Sequence, residues 1–444
     1  MTRMESVAAS NPIPAPRQPK MKIHARTTVH LSRLVLGLLL TAAVLNCAPS
    51  ATIRDLKPTV ILISLDGFRY DYLEKHKPPN LLKLASEGVR AKWMTPSFPS
   101  KTFPNHYTIV TGLYPQDNGI VENTIYDPQR NVTFGMSNRE EVQNGRWWLG
   151  EPIWVTAEKQ GQKTAPMFWP GSEAEIEGTH PTYWRPYDSK ITNEQRVDDV
   201  LAYLDRPIIE RPTFLTLYFS DVDNAGHDYG PEAEETRSAV LKVDSDLARL
   251  FAGLKNRGIY DQVNVIVVSD HGMAPQSPNN VIILDELFDV NLAEKVLWTS
   301  EITSIFPKSG QEQAIYDTLR QKLPPEAKVY RKSELPARFH YSNSPRIPAL
   351  LVLPQEGWTL MTRAKYEENK SKERKSAMRG GHGYDNELPS MRAIFIGHGA
   401  AFRKGVTVEA FENIQVYNVM ARILSLKPAP NDGNDQTATA VLRN

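Results

Sequence analysis

An α/β fold with a doubly wound, mostly parallel sheet follows from three features of the sequence. Short β-branched runs are apolar on both faces, helical patterns lie between them, and aspartates follow where the runs stop. The runs are Val60 to Leu65, Phe214 to Phe219, Val265 to Ser269, Ala349 to Leu353 and Ala393 to Ile396. Runs without a polar face need cover on both sides, which helices from alternate connections supply. Helical patterns occupy Pro79 to Glu87, Asn193 to Leu204 and Glu232 to Lys255. The first three runs lead into Asp66, Asp223 and Asp270. Because open parallel sheets bind ligands beyond the carboxyl ends of their strands, three carboxylates are expected at one site.

The chain divides by pattern into a leader over residues 1–50, a body over 55–427 and a tail over 428–444. Within the body, residues 275–375 carry their own α+β pattern: a run from Ile302 to Phe306, a helix from Glu312 to Leu323, a run from Lys328 to Arg331 and then the run from Ala349 to Leu353. This reads as an insertion. A second elaboration, Asn131 to Gly178, holds Trp147, Trp148, Trp154 and Trp169 and is expected to wall the pocket. The tail, rich in Asn, Asp, Thr and Ala, reads as a surface strap.

The 444 residues hold 52 Lys+Arg against 51 Asp+Glu, a net charge of +1, which leaves no positive excess to hold a nucleic-acid polymer by bulk charge. The single cysteine, Cys47, excludes an intramolecular disulfide and a cysteine-rich zinc ribbon, so a metal site must use Asp and His. In the leader, Arg3, Arg17, Lys20, Lys22, Arg26 and Arg33 precede an apolar stretch from Leu34 to Leu45, too short to span a bilayer. Small residues follow it. This is the pattern of a secretory signal peptide, predicting an exported protein, periplasmic or extracellular, with no transmembrane span in its mature form. Cys47 stands where a lipoprotein would be acylated, but Asn46 before it suits that signal poorly.

Four segments concentrate ligand-type residues. In DVDNAGHDYGP, Asp223 and His227 are four apart and can reach one ion from a helical turn; a cap or ion pair is the simpler reading of that spacing alone. In VVSDHGM, Asp270 and His271 are adjacent, and Gly272 allows a turn that serves two sides of a site. His382, in GGHGYDN, is flanked by glycines that permit close backbone approach. Asp66, in LISLDGFR, ends a buried run and needs a cation or several donors, unless it caps a helix. The stretch PSFPSKTFPNHYTIVT adds hydroxyls at Ser97, Ser100 and Thr102, any of which can be a nucleophile if metal coordination ionises it. Three carboxylates and one alkoxide carry four negative charges, which two dications balance.

The segments ILISLDGFR, PSFPSKTFPNHYTIVTGLYPQDNGIVENTIYDP, GEPIWVTAEKQG, FWPGSEAEI, YFSDVDNAGHDYGP, VVSDHGM and GGHGYDN, in this order, resemble the nucleotide pyrophosphatase/phosphodiesterase family of the alkaline phosphatase superfamily. The resemblance covers roughly residues 58–427 and implies an alkaline-phosphatase-like fold, two zinc ions and Thr102 as nucleophile. It assigns Asp66, Thr102, Asp270 and His271 to one zinc, and Asp223, His227 and His382 to the other. Asn123 takes the oxyanion-stabilising role. Phe103 and Tyr218 resemble an aromatic pair that stacks on a nucleobase, with Tyr187 and Trp169 lining the same pocket. The implied reaction releases nucleoside 5'-monophosphates through a phosphothreonine intermediate, two in-line displacements giving net retention. Thr124 departs from several nucleotide-cleaving relatives, which have lysine after the asparagine. The lone cysteine departs from disulfide-rich animal members and, with the leader, suggests a compact bacterial-type enzyme lacking their accessory domains; a monomer is expected. The same chemistry on lipid-headgroup or other alkyl diesters, such as glycerophosphocholine, is the alternative substrate class; a catalytically silent binding protein is the other.

Overall fold

The computed structural model describes residues 52–372 and 375–443; the leader and Cys47 lie outside them. The central sheet has seven strands in the order Val406–Val408, Val89–Ala91, Phe395–His398, Asn264–Val268, Val60–Leu65, Phe214–Phe219 and Thr164–Ala165. Six run in one direction. Phe395–His398 is antiparallel to both its neighbours, although its sequence looks like any parallel core run. An apolar run buried on two faces carries no mark of its direction; the connection decides that.

Alternation along the strands sorts side chains into two cores. Ile61, Ile63, Leu215, Leu217, Val265 and Val267 face one core, with residues from helices Pro79–Glu87, Asn193–Leu204 and Glu234–Asn256. Val60, Leu62, Phe214, Ile266 and Val268 face the other, with helices Thr102–Thr111, Ile153–Lys159 and Val416–Ile423. Trp147, Trp148 and Trp154 are buried in this second core, so they support the pocket rather than line it.

Ala349 to Leu353, a run of the inserted α+β pattern, lies outside the central sheet. Leu350–Pro354 belongs to a four-stranded antiparallel sheet with Ala293–Trp298, Thr303–Pro307 and Ala327–Arg331, whose cluster with helix Glu312–Lys322 is a separate core. The tail is more than a surface strap: helix Gln436–Val441 buries Thr437, Ala438 and Val441, and Leu442 follows them into the core. Among the described residues no helix is long and apolar enough to cross a membrane.

Candidate active site

The three aspartates meet beyond the carboxyl ends of the central strands, each by a different route. Asp66 directly follows Val60–Leu65, and Asp270 lies two residues past Asn264–Val268. Asp223 is not at a strand end. The strand stops at Phe219, and Asp223 lies in the first turn of helix Asp221–Tyr229. Gly67 lets the two segments touch: its φ is +69°, and a Cβ there would lie 2.9 Å from Asp223 Cα, closer than packing allows.

The histidines are fixed by the backbone. His271 Nδ1 donates to the Gly272 carbonyl at 2.9 Å, His227 Nδ1 to Gly380 at 3.0 Å and His382 Nδ1 to Ser100 at 2.9 Å. A carbonyl only accepts, so each Nδ1 carries the hydrogen and each Nε2 is left to face the carboxylates. His271 Nε2 is 2.9 Å from Asp270 Oδ2 and 3.5 Å from Asp66 Oδ1. His227 Nε2 is 3.4 Å from Asp223 Oδ1 and 3.1 Å from His382 Nε2. His382 Nε2 is 3.6 Å from Asp223 Oδ1.

These distances test whether the residues fit a metal. Asp66 Oδ1, Asp223 Oδ1 and Asp270 Oδ2 are buried with no hydrogen-bond partner, a costly arrangement unless a cation completes it. Ligand atoms of Asp66, Asp270 and His271 lie within 4.8 Å of one another, as do those of Asp223, His271 and His382, so His271 stands between two groups. Burial, then repulsion from Asp270 and Asp223, pushes the Asp66 carboxyl well above the carboxylate range. Burial would also raise Asp270, but the facing His271 and His106 outweigh it and hold that carboxyl low. Burial, followed by His271, His227 and Lys101, pushes His382 well below the usual imidazole range, leaving it neutral as a ligand must be. The donor set of carboxylates and imidazoles suits zinc.

Thr102 opens helix Thr102–Thr111, and its Oγ1 is 3.4 Å from His271 Nε2. Ser100 is buried with its hydroxyl donated to the Tyr384 carbonyl, and Ser97 donates to Asn413, so neither is free to attack. Asn123 Oδ1 accepts the Phe103 backbone N–H at 2.8 Å, which directs the amide and leaves its Nδ2 as a donor.

A cleft of about 930 Å³ runs from Asp66 and Thr102 past Phe103, Phe168, Trp169, Tyr187 and Tyr218. Tyr218 lines it, but its hydroxyl donates to Asp66 Oδ2 at 2.6 Å, tying the ring to a carboxylate of the cluster. Tyr187 is the open aromatic surface: it is 36% exposed, packs edge-on to Phe168 at 5.3 Å and lies under the Arg196 guanidinium. Trp169 is almost wholly buried and donates its indole N–H to the His106 carbonyl.

His106 was not among the residues singled out from the sequence. It sits beneath the cluster, Nδ1 donating to the Thr102 carbonyl at 2.8 Å and Nε2 accepting from Ser64 Oγ at 2.7 Å. Its position four residues after Thr102, on the same helical face, was the available signal.

The chain belongs to the Type I phosphodiesterase / nucleotide pyrophosphatase family, whose profile matches residues 60–385. An uncharacterized pyrophosphatase/phosphodiesterase of Schizosaccharomyces pombe is 41% identical over 403 residues, covering 87% of this chain and 81% of the yeast protein. A venom phosphodiesterase of Crotalus durissus collilineatus is 40% identical over 394 residues, 87% of this chain. This chain spans 46% of that venom protein, about half the length of most of the curated relatives it matches. Murine ectonucleotide pyrophosphatase/phosphodiesterase 5 superposes with a TM-score of 0.81 at 34% identity, covering 87% of this chain and 100% of the murine one. A second murine structure is an inactive threonine-to-alanine form of that protein in complex with AMP.

Proposed function

We propose that this chain is an exported, zinc-dependent phosphodiesterase and pyrophosphatase that cleaves nucleotides to nucleoside 5'-monophosphates, with Thr102 as nucleophile. The observation that carries this reading is the position of Thr102 Oγ1 beside three buried carboxylates with unpartnered oxygens and three imidazoles aimed inward. Asp66, Asp270 and His271 with Thr102 would hold one zinc, and Asp223, His227 and His382 the other. When bound, the two ions would lower the pKa of the threonine hydroxyl and offset charge on the phosphoryl oxygens.

The chain's own groups supply the rest. The Thr102 backbone N–H, at the start of helix Thr102–Thr111, faces the same end of the helix as its hydroxyl, where the helix dipole favours a phosphoryl group. Asn123 Nδ2 donates to a nonbridging oxygen as charge develops there. Thr102 displaces the leaving group in line, forming phosphothreonine; water attacking from the opposite side then releases the monophosphate. His106, whose pKa burial lowers, fixes the Thr102 carbonyl through its Nδ1 hydrogen bond. Phe103 and Tyr187 offer the aromatic faces for a base, a reading supported by AMP in the murine neighbour. The inactive threonine variant of that neighbour supports a threonine nucleophile. The names of relatives as ectonucleotide and venom enzymes support export.

A substrate panel tests this: ATP, a dinucleoside polyphosphate, p-nitrophenyl thymidine 5'-monophosphate, glycerophosphocholine and p-nitrophenyl phosphate on zinc-loaded protein. Release of nucleoside monophosphate with a slow monoester is expected. Preference for glycerophosphocholine would overturn the nucleotide assignment while keeping the threonine chemistry.

A further inference from the structure

The residue before the nucleophile carries a charge that the proposed reaction does not use. Lys101 is 6% exposed, and its ammonium donates to Glu301 Oε2 at 2.5 Å and to the Thr299 carbonyl at 3.2 Å. Glu301, equally buried, lies in the turn between strands Ala293–Trp298 and Thr303–Pro307 of the antiparallel sheet, where Ser300 has a φ of +64°. Its other oxygen accepts from Gln276 Nε2 at 2.7 Å, and the same amide donates to the Tyr384 hydroxyl at 2.8 Å. The Tyr384 hydroxyl in turn donates to the Trp358 carbonyl at 2.9 Å. The Lys101 ammonium, both Glu301 oxygens, Gln276 Nε2 and the Tyr384 hydroxyl each have a partner.

The network surrounds His382. A Cβ on Gly381 would collide with the Gln276 amide, and one on Gly383 with Lys101 Cε. The loop holding His382 is therefore pressed against the same two side chains that Glu301 fixes. On the other side, Lys101 is the residue at the N-terminus of helix Thr102–Thr111, and Ser100 beside it receives the His382 Nδ1 hydrogen bond.

We propose that Glu301 is a positioning residue for this site: through Lys101 and Gln276 it locks the Thr102 helix start and the His382 loop in register. This rests on the phosphodiesterase reading only for its kinetic consequence. The antiparallel sheet of residues 293–354 thereby acts on the reaction through one carboxylate, without touching substrate. An ion pair suits the task because it is directional, whereas an apolar contact of the same volume would keep the packing and lose the register.

That contrast supplies the test. Glu301→Gln removes the counter-charge hydrogen-bonded to the buried Lys101 ammonium, leaving the buried Glu122 carboxylate as the other acidic group acting on it, and should lower the thermal midpoint. Lys101→Met/Glu301→Leu should recover the midpoint, since apolar replacement of a buried pair is often neutral or stabilising. On p-nitrophenyl thymidine 5'-monophosphate the double variant should keep its KM and lose kcat by about tenfold or more, the usual scale for groups that orient metal ligands. Zinc should also leave it faster under a chelator, by about the same factor. Recovery of both midpoint and kcat would overturn the proposal, because the pair would then serve stability alone. If the double variant does not fold, Glu301→Gln assayed below its midpoint decides by the same kcat and chelation criteria. A wild-type chain that cleaves none of the diesters would count against the phosphodiesterase reading only; chelation rates that match the wild type would still overturn the positioning role.

Discussion

Two buried charged clusters flank Thr102, and they are finished differently. On one side, Asp66, Asp223 and Asp270 keep oxygens with no partner, and the nearest groups are imidazole nitrogens with their hydrogens turned away. On the other, the Lys101 ammonium, both Glu301 oxygens, Gln276 Nε2 and the Tyr384 hydroxyl all have partners. Burial raises the cost of unpaired charge in both places equally. A cluster left incomplete under that cost is built for something the chain does not contain, and a cluster completed under it is built to hold still.

The sharpest way to break this comparison is to remove the nucleophile from between the clusters. Thr102→Ala should reduce kcat by roughly 10⁴-fold or more, as loss of a nucleophile does elsewhere, with zinc content nearly unchanged. Retained activity would mean that water, not Thr102, attacks.

A second test uses the sign of a stability change. In metal-free protein the Asp66 carboxyl titrates above its unfolded value, so its contribution is present at low pH and lost as pH rises through the raised pKa. At neutral pH, Asp66→Asn should therefore raise the thermal midpoint of chelated protein and lower that of zinc-loaded protein. Glu301→Gln should lower both midpoints, with a stability loss of about 3 kcal/mol, the scale for breaking a buried pair. An Asp66→Asn effect of the same sign with and without zinc would remove the distinction between the clusters.

Tyr187→Ala, in the open cleft, should act more gently. It should raise KM for a nucleotide diester by about tenfold, the worth of one base–aromatic stack, with little change in kcat. Glycerophosphocholine turnover, if any, should not respond.

The unfinished cluster was far more legible than the finished one. Strand-end aspartates, a DxxxH spacing and a histidine among glycines each announce themselves locally, and the structure brings all six acidic and imidazole groups together. Only the route differed, since Asp223 arrives from a helix turn rather than a strand end. Lys101 and Glu301 gave no such sign: 200 positions separate them, and an isolated Lys or Glu reads as surface. Tyr218 was legible as an aromatic near Asp223, but its hydroxyl bond to Asp66 depends on parallel strands whose pairing sets Tyr218 beside Ser64. The antiparallel Phe395–His398 was hidden because side-chain period does not encode direction.

The central claim is that two metal ions complete the unfinished cluster, and metal counting tests it directly. Wild-type protein loaded with zinc and freed of excess should carry two equivalents by atomic emission, and His382→Ala should carry one. Fewer than one equivalent on the wild type, or two on the variant, would contradict the account.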